Sequence, residues 1–207
     1  MVKIIPGILE QDFSVIQQKV SLVKPYVDMV HLDIMDGDFV PQTTFRDPAQ
    51  IATLDIRLGV HLMVAHPEFS VKKWATLANV DRVFVHEEAV TNLDEVVKQV
   101  RSEGKKVGLS INPETSVIGV KEHIHMVDMI MIMGVEPGQS GQEMLPDTFE
   151  KVREAKKYFE KVLVVVDGGV TMANKKRLVA SGADELVANS AIFDAPDIKA
   201  AIEALAA

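Results

Sequence analysis

Four side chains that could hold a metal ion come near the ends of apolar segments. His31 and Asp33 lie in "VDMVHLDIMD" (27–36), His61 lies in "IRLGVHLMV" (56–64), and Asp167 follows "KVLVVV" in 161–169. His31 and Asp33 are two residues apart, so on a strand they share one face. Burying such groups is costly unless something pairs them. One divalent cation would supply the missing positive charge.

The donor set narrows the choice of ion. Two imidazole nitrogens and two carboxylate oxygens suit Zn²⁺, Fe²⁺, Mn²⁺ or Co²⁺. Cysteine ligands are excluded because the chain has no cysteine. Either histidine alone would be read as a hydrogen-bonded core residue, and only the four residues together favour a metal centre.

Predicted strands and helices, which must position these residues, alternate along the whole chain. Short apolar segments predict eight strands, at 3–9, 27–36, 56–64, 81–86, 106–112, 127–135, 161–169 and 183–189. Amphipathic segments predict helices at 12–26, 68–79, 92–104, 144–159, 171–182 and 197–207, with weaker ones at 47–54 and 115–123. This alternation implies a parallel sheet.

Eight units with no segment left over predict an α/β fold, a single (β/α)₈ TIM barrel that spans 1–207 as one domain. An open, doubly wound sheet is the alternative, although no G-x-G-x-x-G motif follows the first strand. In a barrel enzyme the functional side chains lie at the carboxyl ends of the strands.

Other polar residues follow the predicted strands. We interpret Asp36 and Glu88 as solvated or supporting groups, and His66, His123 and His125 as surface residues without convergent partners. The strand-end positions also include His86, Asn112, Glu136, Asn189 and Ser190.

Three glycine-rich or helix-opening loops follow the last three strands. They are "EPGQSGQ" (136–142), "DGG" (167–169) and "ANSAIF" (188–193). Loops at this place in a barrel commonly cradle a phosphate group with backbone N–H groups. Glycines that serve only tight turns are the alternative for any one loop, and the three together favour a phosphate site.

Methionines Met35, Met63 and Met133 also fall at strand ends. They could form an apolar wall above the metal that keeps water from a carbanion-like intermediate. Plain core packing explains Met133 equally well.

Charge and composition exclude several classes of partner. The formal net charge of −8 argues against nucleic acid, because phosphate-backbone binding needs a basic face. No apolar segment is long enough to span a membrane, and the first residues lack the pattern of a signal peptide. We therefore expect a cytoplasmic protein with no membrane partner, whose ligand is a small phosphorylated molecule.

At these same residues the sequence resembles the ribulose-phosphate 3-epimerase family. The resemblance runs through the whole chain in ordered blocks: "HLDIMDGDFVP" (31–41), "VHLMV" (60–64), "INPETSV" (111–117), "MGVEPGQSGQ" (133–142), "VVDGGV" (165–170) and "VANSAIF" (187–193). It implies a barrel of the ribulose-phosphate-binding type and an isomerase of carbohydrate metabolism, in the pentose phosphate pathway. Members of that family are often homo-oligomers, so a homo-oligomer is an option for this chain too.

The resemblance also implies roles for residues. His31, Asp33, His61 and Asp167 would hold the metal, and Asp33 and Asp167 would also act as the acid–base pair. One aspartate would remove the C3 proton of D-ribulose 5-phosphate, a metal-stabilised enediolate would form, and the other would protonate the opposite face to give D-xylulose 5-phosphate. The predicted substrate-binding residues are Met35, Met63, Met133, Gly138, Gln139, Ser140, Gly141, Gln142, Gly168, Gly169, Asn189 and Ser190.

The chain departs from the family pattern around the phosphate loops. Gly7 stands where the family has Ser, and the changed positions after the sixth and eighth strands are Gly134, Glu136, Gln139, Ser140 and Asn189. These changes keep two alternatives open: an epimerase for another ketose phosphate, such as allulose 6-phosphate, and a non-catalytic sugar-phosphate-binding barrel. The decarboxylase or aldolase branch with a "D-x-K-x-x-D" motif is disfavoured, because Met35 stands at the lysine position.

Overall fold

The computed structural model describes residues 2–207, in which eight parallel strands close into a barrel. The strands are β1 (Lys3–Ile8), β2 (Met29–Met35), β3 (Arg57–Met63), β4 (Val80–His86), β5 (Lys106–Ile111), β6 (Met129–Met133), β7 (Leu163–Asp167) and β8 (Glu185–Ala188). Each strand pairs with the next, and β8 pairs with β1. The predicted (β/α)₈ barrel is confirmed, and the open sheet is wrong.

Helices connect most of the strands. They are α1 (Phe13–Val23), α2 (Pro48–Ile51), α3 (Val71–Ala75), α4 (Leu93–Ser102), α5 (Thr148–Tyr158), α6 (Lys175–Ser181), α7 (Ser190–Phe193) and α8 (Ile198–Ala206). The Asp12, Asn92 and Asp197 side chains accept hydrogen bonds from the first backbone N–H groups of α1, α4 and α8. These caps fix where the three helices begin.

Several predicted helices are shorter than their amphipathic patterns. The segment 115–123 holds only a 3₁₀ turn, Val117–Val120, and a second one, Ile124–Met126, follows. The helix predicted over 144–159 begins at Thr148, because Leu145 N–H donates to the Gly134 carbonyl and keeps 144–147 against the β6 loop. The segment 68–79 is divided into a 3₁₀ turn, Pro67–Phe69, and α3.

Alternate residues of each strand point into the barrel. The interior contains an apolar cluster that includes Met29, Phe84, Met129 and Val165, whereas the residues between them pack beneath the helices. At the amino end of the barrel, a buried ion pair joins Arg82 Nη1 to a Glu185 carboxylate oxygen at 2.6 Å. The polar residues of β2, β3 and β7 lie at the opposite, carboxyl end of the barrel.

Within residues 2–207, every helix is too short or too polar to cross a lipid bilayer.

Candidate metal centre

Strand register brings the four predicted metal ligands together. Asp33 on β2 lies beside His61 on β3, and Asp167 closes β7 beside Met133. His31 is one inward position below Asp33 on the same strand. One donor atom from each of the four residues lies within 4.8 Å of the others.

The contacts within this cluster join each imidazole to both carboxylates. His61 Nδ1 lies 3.1 Å from Asp33 Oδ1 and 3.5 Å from Asp167 Oδ2. His31 Nε2 lies 3.5 Å from Asp33 Oδ1 and 3.6 Å from Asp167 Oδ2. The two histidines and Asp33 are buried, and the Asp167 side chain is 14% exposed.

The donor set fits a divalent cation. His31 Nε2 is buried and has no hydrogen-bond partner among residues 2–207, and an unpaired buried nitrogen costs free energy. Two nitrogens and two carboxylate oxygens converge on one point, which is the composition preferred by Zn²⁺ and its neighbours in the first transition row. A cation at that point would pair His31 Nε2 and neutralise both carboxylates.

The pKa values of His61 and Asp33 reflect the attraction between the imidazoles and the carboxylates of the cluster. Burial opposes charge on His61, but its contacts with the carboxylates of Asp167 and Asp33 outweigh burial and raise its pKa to about 9. Burial likewise opposes charge on Asp33, yet the contacts with His31 and His61 hold the pKa of this carboxyl well below its usual range. A metal ion would therefore compete with a proton for His61 Nδ1.

An aromatic ring supports the two histidines from below. The Phe84 ring centre lies 5.5 Å from that of His31 and 6.3 Å from that of His61. A Cβ on Gly108 of β5 would lie only 2.1 Å from this ring. Glycine at position 108 therefore lets Phe84 fill the barrel directly beneath the site.

His86, which received no role from the sequence, contacts the cluster directly, and Glu88, interpreted from the sequence as a solvated or supporting group, contacts His86. His86, at the end of β4, is buried with its Nε2 2.8 Å from His61 Nε2. Its Nδ1 lies 3.3 Å from Glu88 Oε2. The strand-end position of His86 and the two-residue spacing to Glu88 are the sequence signals that point to this pair.

A cavity opens beside the candidate metal centre and is lined by Asp33 and Asp167. All the predicted substrate-binding residues line it except Gln142. The Gln142 side-chain amide instead donates to the Glu136 and Gln139 carbonyls, so it braces the loop after β6. No Lys or Arg stands among the described residues that line the cavity.

The three methionines lie at the base of this cavity. Met35 and Met63 are buried and pack with Val40. Met133 belongs to the interior apolar cluster of the barrel and also lines the cavity. Both interpretations of Met133, core packing and cavity wall, therefore describe its position.

Glycines let the loops after β6 and β7 approach each other closely. Gly168 and Gly169 have φ angles of +95° and +68°, values that favour glycine. A Cβ on Gly134 would lie 2.4 Å from the Gly168 carbonyl oxygen. Gly134 N–H also donates to the Asp167 carbonyl at 2.6 Å, so the two loops form one wall of the cavity.

The positions that depart from the family pattern line this cavity, with the exception of Gly134. Gly7 faces Val187, whose Cγ1 would be 2.9 Å from a Cβ at position 7, and Asn189 Cβ would be 3.8 Å away. Glu136 is exposed at the rim, where slight burial and the carboxylate of Glu114 raise its pKa. Its charge therefore lies at the entrance, away from the buried candidate metal ligands.

Other predicted polar residues have structural contacts. Asp36 accepts hydrogen bonds from the backbone N–H groups of Asp38, Phe39 and Ala65, so it orders the loop after β2. His66 and His125 are exposed, as expected. The expectation that His123 has no partner is wrong, because its Nδ1 lies 2.9 Å from Glu87 Oε1.

Comparisons with known proteins identify the family of the chain. Residues 3–193 match the model of the ribulose-phosphate 3 epimerase family. The chloroplastic ribulose-5-phosphate-3-epimerase of Arabidopsis thaliana is 36% identical over 98% of this chain and 75% of its own length. The ribulose-phosphate 3-epimerase of Bacillus subtilis is 33% identical over 98% of this chain and 97% of its own length.

Solved structures share the fold at much lower identity. A 3-hexulose-6-phosphate synthase is similar with a TM-score of 0.75 at 18% identity, covering 99% of this chain and 98% of the other. A tryptophan synthase α-subunit from Pyrococcus furiosus gives 0.73 at 17% identity, over 100% and 99% of the two chains. These two matches support the barrel alone.

Proposed function

The chain belongs to the ribulose-phosphate 3-epimerase family and is an isomerase-class enzyme for a phosphorylated sugar; from this premise we propose that it interconverts D-ribulose 5-phosphate and D-xylulose 5-phosphate by inverting C3. The observation that carries the proposal is the pair Asp33 and Asp167, which face the same buried point from different strands at the floor of the cavity. We further propose that 1–207 act as one domain.

The proposed chemistry needs two proton-transfer groups. One carboxylate removes the proton from C3, which lies next to the C2 carbonyl, and the electrons pass into an enediolate. The other carboxylate returns a proton to the opposite face of C3, which inverts the centre. Asp33 is suited to an ionised state, because His31 and His61 lower the pKa of its carboxyl.

His31, Asp33, His61 and Asp167 would hold one divalent ion, Zn²⁺, Fe²⁺, Mn²⁺ or Co²⁺. When bound, such an ion supplies Lewis-acid stabilisation for the negative charge that develops on the substrate oxygens. Met35, Met63 and Met133 exclude water from the carbon that loses its proton, since all three line the cavity beside the carboxylates.

The phosphate end of the substrate would lie against the loops of 138–141, 168–169 and 189–190. Backbone N–H groups are the donors available there, because the described lining contains no cationic side chain. The left-handed backbone at Gly138, Gly141, Gly168 and Gly169 supports such an anion-binding concavity.

A second candidate is epimerisation of another ketose phosphate, such as allulose 6-phosphate. It is favoured by the lining of the cavity, where Gly7 has no side chain and Gln139, Ser140 and Asn189 replace the residues usual in the family. A ketohexose phosphate is one carbon longer, so it would need a changed distance between the metal centre and the phosphate loops.

The test measures inversion and deuterium exchange at C3 directly. The purified protein is incubated with D-ribulose 5-phosphate in D₂O, and the products are analysed by ¹H and ¹³C NMR. We expect D-xylulose 5-phosphate with deuterium at C3, and a higher kcat/KM than for the hexulose phosphates. A clear hexulose preference would favour the second candidate, and tight substrate binding without turnover would instead make the chain a sugar-phosphate-binding barrel.

A further inference from the structure

We infer that His86 and Glu88 are positioning residues that fix which nitrogen of His61 is available to the metal. The inference rests on the proposed function only in taking the four-residue cluster as a metal centre. It concerns a chain of contacts that runs outward from this cluster, from His61 through His86 to Glu88.

The first contact fixes the donor atom of His61. Its Nδ1 faces Asp33 and Asp167 at 3.1 and 3.5 Å, so Nδ1 is the atom that points at the metal position. A nitrogen that binds a metal carries no proton. In the neutral ring the proton is therefore on Nε2, which makes Nε2 a donor.

The second contact determines which nitrogen of His86 carries the proton. The two Nε2 atoms are 2.8 Å apart, and the ring planes are within 17° of parallel with centres 4.9 Å apart. The short nitrogen–nitrogen distance accounts for most of the spacing between the centres, so the rings meet edge to edge. One nitrogen must donate and the other accept, so His86 Nε2 accepts and its own proton is on Nδ1.

The third contact receives the Nδ1 proton. His86 Nδ1 lies 3.3 Å from Glu88 Oε2, and an ionised carboxylate can only accept. Burial opposes ionisation of Glu88, but hydrogen bonds from His86, Thr115 and Asn112 lower its pKa to about 2. With Glu88 ionised, the two hydrogen bonds can form in one direction only. His61 Nε2–H donates to His86 Nε2, and His86 Nδ1–H donates to Glu88.

Glu88 is itself held in place by the loop after β5. Its Oε1 accepts from Asn112 N–H at 2.8 Å and from the Thr115 hydroxyl. Lys151 Nζ donates to the Asn112 and Pro113 carbonyls, both at 2.8 Å, and so ties this loop to α5. A backbone N–H cannot reverse its polarity, so Oε1 must remain an acceptor.

This anchor makes Glu88→Gln a sharp test. The glutamine oxygen must stay on Asn112 N–H, which places its NH₂ group opposite His86 Nδ1. His86 Nδ1 then has to accept, its proton moves to Nε2, and His61 Nε2 has to accept in turn. The His61 proton is thereby placed on Nδ1, the atom that faces the metal position.

The experiment measures tautomers and metal affinity, with no substrate present. Ring ¹⁵N NMR of the Zn²⁺-loaded wild-type protein should show His61 protonated at Nε2 and His86 protonated at Nδ1. In Glu88→Gln the His86 proton should be on Nε2. Competition with a chromophoric chelator should show that Zn²⁺ affinity falls about 10–100-fold. Thr115→Val is the matched control, because it removes a hydrogen bond to Glu88 without reversing any donor, and it should keep the wild-type tautomers.

The wild-type spectrum alone can overturn the inference, even if Glu88→Gln fails to fold: a His86 proton on Nε2 in the wild-type protein contradicts it. Unchanged tautomers and Zn²⁺ affinity in a folded Glu88→Gln protein also contradict it. Absence of epimerase activity with the expected tautomers would reject the proposed function and leave this inference intact. An active enzyme in which Glu88→Gln changes neither the histidine tautomers nor the Zn²⁺ affinity would support the proposed function and contradict this inference.

Discussion

At the scale of single residues, the site is an arrangement of two imidazoles and two carboxylates around one point. In the part of the chain that the structure describes, His31 Nε2 is buried without a hydrogen-bond partner, and the carboxylates of Asp33 and Asp167 approach it to 3.5 and 3.6 Å. In the proposed mechanism each aspartate both binds the metal and transfers a proton, so the substitution of either aspartate should affect both roles.

Asp33→Asn and Asp167→Asn should each lower kcat/KM at least about 100-fold, because each removes one of two proton-transfer groups. Steady-state kinetics in both directions would measure the loss, with metal content determined for each variant. His66→Asn, an exposed histidine after β3, is the matched control and should retain wild-type kinetics. A wild-type rate in either aspartate variant would contradict the two-base mechanism.

Glu88 predicts a pH dependence of stability. Its pKa is about 2 in the folded protein, below its ordinary 4.5, so its stabilising contribution is present above pH 4.5 and is lost as the pH falls through about 2. Denaturant unfolding of the metal-free protein should therefore show Glu88→Gln less stable than wild type at neutral pH, with a difference that narrows in acid. Glu143→Gln, at an exposed position, should show no such pattern. A difference that is constant with pH would contradict this role.

At the scale of elements, the carboxyl ends of β6 and β7 and their loops are packed without spare room. Gly134 on the β6 side touches the backbone of Gly168, and its N–H bonds to the carbonyl of Asp167. The position of Asp167, one of the two proposed catalytic carboxylates, therefore depends on a glycine in the neighbouring loop.

Gly134→Ala should move the β7 loop, because the added Cβ would lie 2.4 Å from the Gly168 carbonyl oxygen. We expect a destabilisation of about 1–3 kcal/mol together with a lower kcat, measured by denaturant unfolding and steady-state kinetics. Gly119→Ala is the control, since among the described residues an added Cβ there would meet Ser116 Cβ alone, at an ordinary 3.8 Å. Equal effects of the two substitutions would show that the contact at Gly134 is unimportant.

The sequence predicted the strands of the barrel and the grouping of four polar side chains for one physical reason. Parallel strands bring their carboxyl ends to the same end of a barrel, so His31, Asp33, His61 and Asp167 could be grouped from strand order alone. The contact between His86 and His61 could not, because it depends on side-chain rotation. The replacement of a helix over 115–123 by 3₁₀ turns, and the close approach at Gly134, likewise depend on tertiary packing that the periodicity of the sequence does not contain.

At the scale of the whole molecule, the protein and its proposed substrate repel each other at a distance. The net charge is −8, and the described lining of the cavity contains no Lys or Arg. Binding of a sugar phosphate would then depend on short-range contacts with backbone N–H groups, which salt screens little, while the long-range repulsion is screened.

KM for D-ribulose 5-phosphate should therefore fall as NaCl rises from about 10 to about 150 mM, because the Debye length shortens from about 30 to about 8 Å. Initial rates at constant pH and metal concentration would measure this dependence, with KCl as a check on ion-specific effects. A KM that rises with salt would show that a cationic side chain binds the phosphate, contrary to the cavity described above.

The most direct test of the central claim is metal removal followed by metal return. The protein is treated with a chelator until metal analysis shows it to be metal-free, and conversion of D-ribulose 5-phosphate is measured before and after addition of Zn²⁺, Fe²⁺, Mn²⁺ or Co²⁺. The proposed mechanism predicts that epimerisation is lost with the metal and restored by at least one of these ions. Full activity in the metal-free protein would contradict it.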